Sequence, residues 1–569
     1  MLISQADERA ALDRAVATLA RGATEWARLE LAERIALFGA VRPLIVRHAR
    51  AWVDASTAAK GIDPGSPLAG EEWTSGPLAV LYAINRYIRT LRDLQACGRV
   101  NLPGKPRTRK DGQLIVPVFP VTLYDRLLFS GISAQTWLPA HVTADTLDGH
   151  MAKFYRSKHH QPRVALVLGA GNISAIAPLD VLYKLIACGA VCILKPSPVN
   201  EYLAPIFREV FAPLIERNFL AIVTGGSATG AYLTGHRDVD EIHITGSAQT
   251  HDAIVFGKSG ERRGTPLQKP VTSELGNVSP TIVVPGPWTR ADVAFAAEHI
   301  LTQKMHNGGF NCIAAQVLIL SQEWEHSDAL IAQIEAVIAR TPPRAGYYPG
   351  AAERQARAVA AGGANREYDT ATETIVPRTI VHADAQTNHP AFTSEAFGSV
   401  LTITRLPGAD AAAFLESAVA FANDRLYGTL GANMIIDPKT ERELGSRFED
   451  SVEALRYGSI AINAWTGVSF LLAETSWGAF PGHTAEDIQS GTGVVHNSFL
   501  FDAPQKTVLR GPFYPFPRSV LHGRLTLLPR PPWFVTNKRA ADIARRLLAF
   551  EYAPDMRKIP GIFGSALRG

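Results

Sequence analysis

Apolar residues recur at helical spacing from residue 5 to residue 60. Ala11, Leu12, Val16 and Leu19 fall on one face, and Trp26, Leu29, Leu31, Ile35 and Leu37 continue the pattern. Gly61-Ile-Asp-Pro-Gly ends it. A second helical stretch is expected from about Gly76 to Ala96. From Asn101 to about Val142 the texture changes: Pro103, Gly104, Pro106 and Asp111-Gly112 are turn signals, and the run from Leu114 to Leu123 is strand-like with prolines in it. Proline in a strand points to an edge or an irregular ribbon, here read as an arm pairing outside the first core.

A strict alternation follows. Short apolar runs at Val164–Leu168, Val191–Lys195, Leu220–Thr224 and Glu241–Thr245 read as strands. Helical stretches lie between them, at about 178–188, 204–217 and 225–236. This spacing predicts βαβ units and a parallel sheet. Ligands of such sheets bind beyond the carboxyl ends of the strands. Those ends carry Gly169 to Asn172, Lys195, Gly225-Gly226 and Thr245-Gly246-Ser247, which are small, amide-bearing or cationic. An anionic dinucleotide suits such a rim. Gly169-Ala-Gly171-Asn-Ile-Ser174 is nevertheless one residue short of the usual dinucleotide fingerprint, and Lys195 stands where its acid would be wanted.

A second α/β segment is expected from residue 281. A helix over 291–305 leads to Asn307-Gly308-Gly309 and then Cys312, with strands at 317–320, 374–382, 400–406, 431–436 and 457–463 and helices at 328–339 and 414–421. Glycines let a backbone approach another group closely, so a cysteine beyond such a turn can be presented to a pocket. Taken alone, Cys312 reads first as a small core hydrophobe, a lone cysteine being a weak nucleophile signal. Glu274, in Ser-Glu-Leu-Gly, reads alone as a loop carboxylate.

Composition narrows the class. At 569 residues the chain exceeds one core and should hold two or three domains. A formal net charge of +4 gives no reason to expect nucleic acid as a partner. The four cysteines, at 97, 188, 192 and 312, show neither a disulfide framework nor zinc-ligand spacing, so a reducing, cytoplasmic setting and no metal are expected. The first residues have early acids and no apolar core, unlike a signal peptide, and no apolar run approaches the ~20 residues of a membrane span.

The segments form an ordered series: LGAGN, ILKPSP, a GG…G helix, ITGS, SELG, NGGFNC, SEAFG and INAW. In order and spacing, including the 38 residues from Glu274 to Cys312, the series resembles the aldehyde dehydrogenase superfamily over about residues 5 to 510. The resemblance implies an α/β fold: two Rossmann-type parallel-sheet domains plus a small β oligomerisation arm. Its implied boundaries are residues 1–118 and 156–280 for a dinucleotide-binding domain and 119–155 with 490–510 for the arm. A catalytic domain would occupy 281–489, and 511–569 would be a basic C-terminal extension.

It also implies an NAD- or NADP-dependent oxidoreductase acting on an aldehyde, in a homodimer or homotetramer. Cys312 would attack the aldehyde, the Asn172 amide and the Cys312 N–H would hold the oxyanion, and Glu274 would be the general base releasing a thioester. Lys195 would bind the adenosine ribose, Gly246 and Ser247 would face the pyrophosphate and nicotinamide side, Glu395 would hold the nicotinamide ribose, and Phe397 would pack beside the ring. Ser197, Gly226, Gly230, Thr245 and Leu275 complete the implied cofactor set.

Two departures matter. Many NAD-preferring members carry a glutamate three residues after the strand-end lysine; here Pro198 stands there, so NADP is admitted, with Ser197 and Asn200 as candidate partners. Phe310, Asn311 and Ile313, beside the nucleophile, differ from the common pattern and leave the aldehyde open. Two alternatives remain: a relative passing the acyl group to coenzyme A, and a non-catalytic member with an interaction role.

From Lys506 onward the tail carries twelve Lys and Arg against three Asp and Glu, and a helix is expected over about 537–552 with Ile543, Leu547 and Phe550 on one face. Such a helix suits an anionic membrane surface. Prolines and aromatics dock extended tails equally well, and the expectation is that the tail wraps the catalytic domain or a neighbouring subunit.

Overall fold

A computed structural model describes residues 5–157, 159–257 and 267–569. The first helical region is two helices, Gln5–Arg28 and Leu31–Ala59, the second opened by a capping box from Glu30 and Glu33. The next begins earlier than its apolar pattern suggests. A short helix, Ala69–Trp73, runs through a widened turn at Thr74–Leu78, where Pro77 has no N–H to donate, into Ala79–Cys97.

The alternating segment folds into a six-stranded sheet. In spatial order its strands are Gly491–Thr492, Val271–Leu275, Glu241–Gly246, Val164–Leu168, Val191–Lys195 and Leu220–Ile222. All neighbours are parallel except the Gly491–Thr492 edge. Glu274 therefore lies on a strand, not in a loop. The polar Thr272 and Ser273 hide that strand from a hydrophobicity reading, yet it pairs with Glu241–Gly246 over five residues.

The second segment forms an eleven-stranded sheet. Ser279–Val283, Ala315–Ser321, Val400–Leu406, Gly431–Ile435 and Ser459–Ile462 make its parallel core. The ribbon strands Leu114–Phe119 and Ser133–Trp137 pair antiparallel, and the second also pairs antiparallel with Lys506–Arg510. Lys506–Arg510 lies parallel to Ser459–Ile462, so the ribbon expected as an arm extends the sheet that follows Cys312. The strand-like run stops at Phe119, and Thr122 with Asp125 caps a short helix, Leu123–Leu128.

The C-terminal extension packs on its own chain. Phe534 stacks on Phe295 and His299 at 5.5 and 5.4 Å, anchoring the proline-rich stretch to the helix Arg290–Met305. The expected helix runs from Ala540 to Tyr552, and a second, Ile559–Ala566, was hidden in sequence by its proline and glycines. Gly70 makes the close approach possible, because a Cβ there would stand 2.5 Å from the Ala540 carbonyl carbon. Ile543 and Phe550 are buried against the chain, while Arg545 and Arg546 are exposed. Among the described residues no helix is long and apolar enough to cross a membrane.

Candidate active site

The turn before Cys312 takes the conformation its glycines suggest. Asn307, Gly308 and Gly309 have φ of 54, 66 and 83°. At Gly309 a Cβ would come to 2.4 Å from the Gly398 carbonyl oxygen, so only glycine lets this loop pass the Glu395–Gly398 segment. Buried ionic groups hold the turn from behind. Lys60 pairs with Glu72 at 2.7 Å and also donates to Asn307 Oδ1, while Glu71, paired with Arg344, accepts from the Asn307 backbone N–H at 3.0 Å.

Cys312 faces Glu274. The carboxylate, at the end of its strand, is in contact with the Cys312 thiol and accepts a hydrogen bond from the Trp477 indole N–H at 3.0 Å. Burial pushes the Glu274 carboxyl up to about 7, with the Trp477 and Cys312 hydrogen bonds opposing. The Cys312 thiol is pushed well above its ordinary range, first by burial and then by the Glu274 charge. The resting pair is thus a protonated thiol beside an acceptor poised near neutrality.

Asn172 is buried, and its side-chain amide donates to the Phe310 carbonyl at 2.9 Å. Its own carbonyl accepts from Lys60 Nζ, Asn307 Nδ2 and the Tyr347 hydroxyl. Asn172 is therefore locked to the loop that carries Cys312, with one amide proton spent on Phe310 and a second remaining. A cavity of about 1740 Å³, part of it open to solvent, reaches Cys312 between Asn311, Phe470, Trp465 and Trp477. Trp477 was not marked by any sequence signal, since it stands 203 residues from the carboxylate it touches.

The other residues singled out in the sequence gather at the strand ends of the six-stranded sheet and on the Glu395 loop. Lys195 closes its strand, and its Nζ donates to the neighbouring Pro196 carbonyl at 3.3 Å. Burial lowers its pKa. Ser197 caps the turn Pro198–Leu203 and lies where a Cβ on Gly171 would meet it at 2.7 Å. Gly226 precedes the helix Ser227–Gly235, and a Cβ at Gly230 would rest 3.8 Å from the Lys195 stem. Gly246 is exposed at the end of its strand, and Ser247 caps the helix Ala248–Val255. Thr245 turns inward, its hydroxyl donating to Asp180 at 2.8 Å, and Leu275 is buried with its N–H on the Ser490 carbonyl.

Glu395 enters beside Gly276, where any Cβ would stand 2.1 Å from its Oε2. Burial pushes its carboxyl up to about 8 against the pull of Lys304, itself lowered by burial to about 7. Phe397, at φ 31°, packs edge-on to Tyr348 at 4.9 Å. Two acceptors in this rim, Glu395 Oε1 and Asn200 Oδ1, are buried with no donor among the described residues. Hydroxyl-bearing ligands such as ribose satisfy acceptors of this kind. An acid that the sequence reading overlooked also stands here: Glu201 accepts from the Gly225 N–H at 2.5 Å and acts electrostatically on Lys195.

The model described as "Aldehyde dehydrogenase family" matches residues 142–475. The human protein "Aldehyde dehydrogenase family 3 member B2" is 25% identical over 358 residues, covering 60% of this chain and 82% of its own. The pea "Aminoaldehyde dehydrogenase 1, peroxisomal" is 29% identical over 301 residues, 49% of this chain and 54% of its own, so this chain spans about half of that relative. Among solved structures, the aldehyde dehydrogenase KauB from Pseudomonas aeruginosa superposes with a TM-score of 0.60 at 18% identity, over 88% of this chain and 89% of its own. An NAD-dependent aldehyde dehydrogenase from Sinorhizobium meliloti gives 0.59 at 19% identity, over 89% and 86%.

Proposed function

The chain belongs to the aldehyde dehydrogenase family, aldehyde-oxidising oxidoreductases, and on that premise we propose that it converts an aldehyde to a carboxylic acid with NAD or NADP through a thioester on Cys312. The observation that carries the proposal is the approach of the Glu274 carboxylate to the Cys312 thiol, beside Trp477, which donates to Glu274 and lines the cavity at Cys312.

Attack on a carbonyl carbon needs the thiolate. Glu274 is the group in contact with the thiol that can take its proton, and a carboxyl near 7 does so without becoming a strong acid. As the Cys312 sulfur bonds to the carbonyl carbon, charge develops on the oxygen. The second Asn172 amide proton and the Cys312 N–H are the donors held for it, each worth about 3 kcal/mol in such a role. When bound, a nicotinamide dinucleotide supplies the acceptor for the aldehyde hydride. Glu274 releases the thiol proton to solvent, and the thioester left on Cys312 is then opened by water, which gives a proton to the freed Glu274 as the Cys312 thiolate leaves and is reprotonated.

The rim residues fit that dinucleotide. Glu395 Oε1 and Asn200 Oδ1 are acceptors that ribose hydroxyls would satisfy, and Lys195 supplies a cation whose hydrogen bond to Pro196 is long. Glu201, beside Lys195, disfavours a 2′-phosphate by like charge, which favours NAD over NADP. The division into a dinucleotide-binding domain, a catalytic domain and an arm stands as part of the same proposal.

The test is turnover of an aldehyde panel with NAD or NADP, with and without coenzyme A, identifying the product. Acid formed without coenzyme A, and its loss in Cys312→Ala, is the expected result. Thioester formed only with coenzyme A would move the chain to the acyl-transferring relatives. No product under any condition would remove the catalytic reading.

A further inference from the structure

The reaction uses only the inner end of the cavity, whose lining continues from Cys312 out to the two helices of the C-terminal extension. Its inner end is aromatic: Phe470, Trp465 and Trp477 around Cys312. Trp533, from the C-terminal extension, packs against that cluster. The outer end is built largely by the two tail helices, through Ile543, Leu547, Phe550, Ile562 and Phe563, against Tyr124 and Leu128. All of these tail residues lie beyond residue 475, where the family match ends.

The charges that line the space are already paired. Arg86 is shared among Glu551, Glu474 and Asp125, and Arg530 pairs with Glu298 at 3.2 Å. Among the described residues, every carboxylate and guanidinium of the lining already has an ionic partner. A substrate filling this space must be apolar along most of its length, because an unpaired charge there loses its hydration without compensation.

We propose that the C-terminal extension is the outer wall of a substrate channel and that the chain's aldehydes are long-chain aliphatic ones, the carbonyl at Cys312 and the alkyl chain running out between the tail helices. The proposal rests on Cys312 as the nucleophile. It adds the substrate class, and it gives the extension a role in selecting that substrate.

The test is kcat/KM along the n-alkanals from propanal to hexadecanal, together with calorimetric binding of the matching n-alkanols, which need no turnover. Each methylene that enters the channel should raise affinity by up to about fourfold. Both series should therefore climb well past hexyl. An ω-amino aldehyde should be poorer than the alkanal of equal length by about a hundredfold or more. Leu547→Trp fills the outer channel. It should lower the ratio of tetradecanal to propanal kcat/KM by at least about tenfold, a ratio independent of how much enzyme is folded.

A flat profile in both series, or a preference for the ω-amino aldehyde, overturns the proposal. An unchanged ratio in Leu547→Trp does the same. Alkanol binding that climbs with length and falls in Leu547→Trp, without turnover of any aldehyde, would uphold the channel while removing the catalytic reading.

Discussion

The Trp477 indole N–H donates to Glu274 Oε1 at 3.0 Å and is one of two hydrogen bonds that hold this carboxyl near 7 against the effect of burial. Trp477→Phe keeps the aromatic wall and removes that donor. The loss favours the protonated acid, so the pKa of Glu274 rises. A general base acts when ionised, so activity that climbs through about pH 7 should climb at higher pH in the variant. A hydrogen bond to a charged group is worth about 1.5–3 kcal/mol, which sets the displacement at about one to two pH units. The measurement is kcat against pH for the two proteins. Coincident profiles would show that Glu274 is not the base limiting turnover.

Glu274→Gln separates the two halves of the reaction. The amide removes the carboxylate charge that raises the Cys312 thiol, so at alkaline pH hydroxide still ionises the thiol and the thioester forms, while the attacking water is left without a base. Steady turnover should fall about 10²–10⁴-fold, while a burst of reduced cofactor, up to one per active site, remains. Rapid mixing followed by absorbance of the reduced nicotinamide reads both quantities. Linear formation with no burst would place the deficit in the first half instead.

Cys312, Glu274 and the glycine turn were legible in the sequence because the family's motifs recur in order, and the βαβ alternation marked the first sheet. What escaped was set by distance or by local disguise. Trp477 reaches Glu274 across 203 residues. Glu201 lies six residues after Lys195, and only the turn Pro198–Leu203 brings its carboxylate to the Gly225 N–H. The strand carrying Glu274 has polar residues at Thr272 and Ser273, and the last helix contains Pro560, Gly561 and Gly564, so neither shows the expected period.

Glu201 gives a cofactor prediction. Glu201→Gln keeps an acceptor for Gly225 and removes the negative charge beside Lys195. The ratio of kcat/KM for NADP to that for NAD should rise by about tenfold, the effect of about 1.4 kcal/mol between partly exposed charges. Both cofactors are assayed with one aldehyde. An unchanged ratio would show that the 2′ position does not feel this carboxylate.

Arg86 ties the tail helix to the N-terminal half. It pairs with Glu551 of the extension, with Glu474 at 2.9 Å and with Asp125 at 3.4 Å, while Arg89 reaches Glu474 at 3.1 Å. Arg86→Met removes the cation at the centre and leaves three buried carboxylates, of which Glu474 alone keeps an arginine. Breaking a buried pair from one side costs about 3–5 kcal/mol, because the partner charge stays behind without compensation. The variant should therefore lose stability of that order in urea unfolding at neutral pH. Burial already raises the Glu551 carboxyl above its ordinary value even with Arg86 present, and without Arg86 it rises further. A carboxyl whose folded pKa is raised adds stability as it takes up a proton, so the deficit of Arg86→Met should shrink as pH falls below neutrality. Unfolding curves at neutral and mildly acidic pH test this. A deficit that stays constant with pH would assign the loss to the Arg86 guanidinium stacked over the Tyr82 ring, its carbon 3.6 Å from the ring centroid, instead of to the carboxylates.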